Sequence, residues 1–391
     1  MDMLKMAAWN SNGLQQRALE TKIFLYNNKI DILLVSETHF TTKNYIKIPY
    51  YNIYNTKHPS GKAHKGTAVI IINDIKYHLH SQVSKEYIQA TTVTVQTRTN
   101  HLQLSAVHVP PRYKITAQIW EEYFQKLGDK YIAAGDYNSK HTLWGSRITT
   151  PRGRILGKYI RNNNLNLFST GRPTYWPTDL SKIPDLLDFA VTKGLNENKI
   201  NIAPSLELSS DHTPIIITYR PKPILYNNPE TICNKTTKWQ TFKEIIESKI
   251  NCNIPLKTPE HIEQAVTTLT ETIQEAARAT TIPEPSNRQT IIIPPDILEK
   301  IREKRKAKAI WQKHRTKENK KYQSKFAKEI KNKIKEHNNN EFIKFIESLS
   351  PHENYNYLLW KATKKNKEGN KISPSNKKSR QYMGKKQRRA S

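Results

Sequence analysis

Residues 130–139 read KYIAAGDYNS, a short apolar run that ends in Gly135, Asp136, Tyr137 and Asn138. The run predicts a strand with a carboxylate and an amide at its exit. Strand alternation would place Asp136 and Asn138 on one face if extended geometry persists, and Gly135 permits close backbone approach. Such a pair is suited to orienting an attacking water. Glycine, aspartate and asparagine also favour ordinary turns, so this stretch fixes no chemistry by itself.

Working outward, further apolar runs rich in β-branched residues predict strands: LKMAAW, DILLVSE, GTAVIII, QATTVTVQT, LQLSAVHV, LLDFAVT and PIIITY. Helical stretches are expected near 17–28, 116–127 and 152–162, so strands and helices mix in one α/β domain over 1–220. The segment PKPILYNNPE follows Arg220, and its prolines and asparagines mark a boundary. Residues 221–255 then read as a linker with a short helix, 256–365 as a basic helical region and 366–391 as a polar, disordered tail. Within 259–278, Thr258 as cap, Pro259 at the first helical position, and Ile262, Val266, Leu269, Ile273 and Ala277 predict a packed amphipathic helix.

Other polar residues gather at strand boundaries. Glu37 closes DILLVSE and offers a hard oxygen ligand for Mg²⁺, with Mn²⁺ as the substitute; Asn10 ends LKMAAWN and could support that ligand. Ser209, Ser210, Asp211 and His212 precede the last apolar run. His212 could stabilise charge on a phosphate if a carboxylate orients its ring, and Asp188 or Asp185 could serve. Each reads equally well alone as a cap, a turn or a solvated side chain. Together they form the inventory of metal-assisted phosphodiester hydrolysis. No GxxxxGK[ST], GxGxxG or GxSxG motif is present to suggest another chemistry.

The ordered motifs WNSNGL, SETH, AAGDYNSKH, LLDFAV and SSDH resemble the endonuclease/exonuclease/phosphatase superfamily. More narrowly, GDYNSKHTLWGS, RGRILGKYIRNNNLN, STGRPTYWPTD and KIPDLLDFAVTKG resemble the apurinic-type endonuclease of jockey-like non-LTR retrotransposons. The resemblance implies a four-layered α/β sandwich, two mixed sheets flanked by helices, followed by a basic helical region. It implies Asn10 and Glu37 at the metal, Asp136 and Asn138 at the nucleophilic water, and Asp188 with His212 at the phosphate. Asp211 would assist the metal or the leaving group, Thr174 would support the site or bind the DNA backbone, and Ser210, a small polar residue beside the Asp–His pair, would contact substrate. His108 stands in SAVHVPPR where the resemblance places a tyrosine. The implied activity is nicking of target DNA to leave a 3′ hydroxyl that primes reverse transcription. A repair-type abasic endonuclease and an inactive nucleic-acid-binding remnant are the alternatives. No YxDD-type polymerase motif occurs, so the expected product lacks its polymerase.

Composition agrees with a polyanionic partner. The 391 residues include 64 Lys or Arg against 34 Asp or Glu, a formal charge of +30, and the excess is heavier after Arg220. DNA is the expected partner and element RNA a second one. Cys233 and Cys252 form no metal-ligand spacing and suit a reducing, nuclear or cytoplasmic setting. The apolar runs are too short for a membrane span, so no membrane association is expected.

Overall fold

A computed structural model describes residues 3–347 except 99, 222, 226–231, 234–236, 251–255 and 283–292. The tail expected to be disordered, and the 348–365 end of the basic region, lie outside the described residues. In chain order the elements are β1 (Leu4–Asn10), α1 (Ala18–Asn27), β2 (Ile32–Ser36), β3 (Tyr51–Thr56), β4 (Thr67–Ile72), β5 (Tyr77–Lys85), β6 (Ile88–Gln96) and β7 (His101–His108). They continue through α2 (Ala117–Gln125), β8 (Tyr131–Asp136), α3 (Pro151–Asn162), β9 (Asn166–Phe168), β10 (Asp188–Lys193), β11 (Ile200–Pro204) and β12 (Ile215–Tyr219). Beyond these come α4 (Trp239–Lys249), α5 (Pro259–Thr280), α6 (Pro295–His314) and α7 (Lys317–Glu347).

The strands form two six-stranded mixed sheets, ordered β11-β12-β1-β2-β4-β3 and β5-β6-β7-β8-β10-β9. In each sheet one neighbouring pair is parallel, β1 with β2 and β7 with β8, and the other pairs are antiparallel. Strands such as ILLVS and TAVIII are buried at every position because both faces are covered, which is why they read as unbroken apolar runs. One core cluster joins Leu34 and Val69 of the first sheet to Val93, Leu104 and Ile132 of the second, and takes in Phe24 and Leu25 of α1. A second cluster packs Trp120 and Phe124 of α2 and Leu156 and Ile160 of α3 on the other side of the second sheet. The expected architecture of two mixed sheets flanked by helices is therefore present, with a helical region after it.

The parallel pairs set the site. Register places Asn10 beside Ser36 at the ends of β1 and β2, and His108 beside Asp136 at the ends of β7 and β8. Asp188, the first residue of β10, lies opposite Asp136. Two glycines permit the close approaches this requires. At Gly135 φ is +153° and an added Cβ would lie 2.1 Å from Val107 O; at Gly153, in the first turn of α3, it would lie 1.7 Å from Lys140 O.

Chain contacts divide the molecule into residues 1–331, which take in the sandwich with α4, α5 and α6, and residues 332–391. The helix expected over 259–278 is present and is capped by Thr258 Oγ1, which accepts from His261 N. Of its expected apolar stripe only Ala277 is buried: Ile262, Val266, Leu269 and Ile273 are exposed, and α5 otherwise buries Thr272, Ala276 and Thr280. No helix among the described residues is long and apolar enough to cross a membrane.

Candidate active site

The strand exits converge on two groups of ligand atoms, each within 4.8 Å: Glu37, His108 and Asp136, and Asp136, Asp188 and His212. Asp136 belongs to both. Its carboxylate is 1% exposed and accepts from Asn10 Nδ2 at 2.9 Å, Asn138 N at 2.9 Å and Asn138 Nδ2 at 3.1 Å. The expected pairing of Asp136 with Asn138 is real, but strand alternation does not produce it. β8 ends at Asp136, Asn138 turns to φ 45°, and an Asx-type turn brings the amide back to the carboxylate. Burial raises the Asp136 pKa to about 6, and the neighbouring Asp188 adds to the rise.

His212 sits between two acids. Its Nδ1 is 2.6 Å from Asp188 Oδ2, and its Nε2 is 3.9 Å from Asp136 Oδ2. Burial alone would strip the imidazole of its proton, but the charge and hydrogen bond of Asp188, with Asp136 and Asp211, raise its pKa to about 10. Asp185, the alternative partner for His212, is elsewhere: it pairs with Lys140 at 3.0 Å and accepts from Arg147 N and Leu186 N. The Tyr175 ring lies 5.0 Å from that of His212.

Glu37 follows β2 with φ 52° and keeps about a quarter of its side chain exposed. Its carboxylate lies 3.2 Å from His108 Nε2 and 3.7 Å from His39 Nε2. Burial works against its charge, yet the two imidazoles and His212 hold it well below the usual carboxylate range, so it is ionised. Asn12, Glu37, His39 and Asn138 are four of the nine described non-glycine residues with positive φ, and their gathering here is the pattern of a functional site.

An ionised carboxylate that remains open, with a second acid beside it, is a hard-oxygen donor set of the kind divalent cations take. Asp188 Oδ1 is also buried without a hydrogen-bond partner. These residues fit a metal ion.

Thr174 supports the site: it is fully buried, and its Oγ1 accepts from Leu187 N and Asp188 N, both at 3.0 Å, so it positions Asp188. Ser210 is buried too. Its Oγ accepts from Trp9 Nε1 at 2.7 Å and His212 N at 3.1 Å and donates to Asn10 O at 2.7 Å, tying β1 to the His212 loop with no capacity left for a ligand. Asp211 stands outside both groups and accepts from Asn12 Nδ2 at 3.3 Å. The Asn10 Nδ2 is engaged with Asp136, whereas its Oδ1 accepts from Asn12 N at 3.0 Å and keeps a second lone pair for a ligand.

Two residues escaped the sequence reading. Gln89 is fully buried, and its Oε1 lies 3.1 Å from His108 Nδ1, on the other side of the ring from Glu37. Ser36 Oγ donates to Val107 O at 2.8 Å and accepts from Asp136 N at 3.3 Å, stitching the two sheets together under the site. Only the cross-strand register reveals Gln89, opposite His108 on β6. Nothing local marks either residue.

Residues 102–216 match the family model described as endonuclease-reverse transcriptase. The chain is 31% identical over 368 residues to the probable RNA-directed DNA polymerase from transposon BS of Drosophila melanogaster, covering 93% of this chain and 41% of that protein. It is 28% identical over 372 residues to the RNA-directed DNA polymerase from mobile element jockey of Drosophila funebris, covering 93% and 40%. The chain thus spans about two fifths of the length of the curated relatives it matches. Among solved structures, the endonuclease domain of TRAS1, a telomere-specific non-LTR retrotransposon, aligns with 56% of this chain and 99% of its own at 20% identity and a TM-score of 0.48.

Proposed function

We propose, from the premise that this chain carries an apurinic-type endonuclease domain of the non-LTR retrotransposon family, that it nicks duplex DNA by hydrolysis and leaves a 3′ hydroxyl to prime reverse transcription. The observation that carries this reading is the Asp188–His212–Asp136 arrangement beside an ionised Glu37. Asp188 holds His212 Nδ1 and keeps the ring protonated, which leaves Nε2 to donate to a non-bridging phosphate oxygen. Asp136, across a 3.9 Å gap from Nε2, orients a water and accepts its proton as the oxygen attacks phosphorus. Asn138 fixes the carboxylate through its backbone and side-chain amides. The bond from phosphorus to O3′ breaks opposite the incoming water, and the 3′ oxygen takes up a proton as it leaves. Asp211, at the rim, would assist that departure.

A divalent cation, Mg²⁺ or Mn²⁺, held by Glu37 with Asn10 would polarise the scissile phosphate and offset the charge developing on its oxygens. The end chemistry tests the proposal. Nicked plasmid should be extended directly by a DNA polymerase; ends that need phosphatase treatment first would refute it.

His108 supports a second reading, an inactive remnant that binds nucleic acid through its positive charge. It fills the place where the resemblance has a tyrosine, and it ties Glu37 within 3.2 Å. A silent parent and a cutting His108→Tyr variant would favour that account. Preference for an abasic duplex over an intact one would instead favour a repair-type enzyme.

A further inference from the structure

Helix α6 turns two of its lysines inward. Lys304 and Lys308, one turn apart, are each 1% exposed. Lys304 Nζ pairs with Glu20 of α1 and donates to Ser209 Oγ at 2.9 Å. Lys308 Nζ donates to Leu208 O at 2.8 Å, and one turn further Gln312 Nε2 donates to Thr213 Oγ1 at 3.1 Å. The spacing i, i+4, i+8 puts all three on one stripe of the helix. Their contacts fall on both sides of Asp211 and His212. Trp311, on the same helix, packs against Trp176 at 5.9 Å between centroids, and Trp176 N donates to Asp211 O at 2.8 Å.

Burying an ammonium is costly even when it is hydrogen-bonded, and leucines or methionines would dock a helix on a sandwich at lower cost. What the lysines add is direction, because each fixes a particular oxygen of one loop. We propose that α6 is a positioning element of the active site. It fixes the 208–213 loop so that His212 keeps its place between Asp188 and Asp136, and Lys304, Lys308 and Gln312 are the positioning residues. The kinetic part of this inference rests on the nicking activity proposed above; the structural part does not.

The test uses the full chain with Lys304→Met, Lys308→Met and Gln312→Ala, and Lys306→Met on the exposed face as control. Plasmid nicking, thermal melting and amide hydrogen exchange across 207–214 are measured for each. The expected result is a kcat lowered about tenfold or more with KM within about twofold, because a displaced group loses transition-state contacts rather than substrate binding. Exchange across the loop should rise, and the control should match the parent. Folded variants with parental kcat and parental exchange would overturn the proposal. If the parent does not nick DNA, the nuclease reading fails and the exchange measurement alone decides. If the methionine variants do not fold, Gln312→Ala, which removes only a half-buried amide, carries the comparison.

Discussion

His212 is buried with one nitrogen on Asp188 and the other facing Asp136, and its pKa of about 10 lies above the 6.5 of a free imidazole. A pKa raised on folding contributes stability that is complete below pH 6.5 and is lost as pH rises through about 10. In the metal-free protein His212 should therefore stay protonated through pH 9, read from its imidazole resonances. The stability difference between parent and His212→Gln, measured by urea unfolding, should shrink from pH 6 to pH 10; a constant difference would contradict the pairing. Asp136 has the opposite requirement, since it must be ionised to accept a proton and its pKa is raised to about 6. Nicking should fall about tenfold per pH unit below that value, and Asp136→Asn should lower kcat by about 10²–10⁴. An acid limb that persists unchanged in Asp136→Asn would assign the titration elsewhere.

At the scale of elements, the junctions between strands and loops carry the site, and their tolerance to substitution is measurable. Thr174→Val keeps the shape but leaves the N–H groups of Leu187 and Asp188 without their acceptor, a loss of about 1–3 kcal/mol in urea unfolding. Gly153→Ala sets two effects against each other. Helix propensity favours alanine by about 1 kcal/mol, but a Cβ only 1.7 Å from Lys140 O forces the start of α3 away from the loop that follows β8. Overpacking of this kind costs about 1–3 kcal/mol or more, so the variant should be less stable than the parent; a rise in Tm would show that the contact relaxes freely. Apolar strands with both faces covered, such as β2, β4 and β8, were legible in the sequence because burial is written into every residue. β5, YHLHSQVSK, was not. It is an edge strand, largely exposed, that owes its conformation to pairing with β6. Gln89 was illegible for a related reason: its role exists only once β6 and β7 are in register.

For the whole molecule, the order of Asn10, Glu37, Asp136, Asp188 and His212 along the chain was readable, because each ends or begins a recognisable run. Their meeting around Asp136 depends on two sheets stacked with their parallel pairs aligned. The region after Arg220 reads as basic and helical without marking which lysines are buried, yet Lys304 and Lys308 are; no local pattern separates a lysine that seeks solvent from one that finds a carbonyl. The charge of +30 leads to a further expectation: KM for plasmid should rise steeply with salt as counterion release is lost, while kcat changes little. A KM independent of salt between 50 and 200 mM, roughly the range over which phosphate contacts are weakened, would contradict an electrostatic footprint on the backbone. The central claim, that Glu37 and Asp136 work on one phosphate, is tested most directly by incubating supercoiled plasmid and Mg²⁺ with the parent, Glu37→Ala and Asp136→Ala. Open circles should accumulate with the parent alone; no nicking by the parent, or equal nicking by all three, would contradict it.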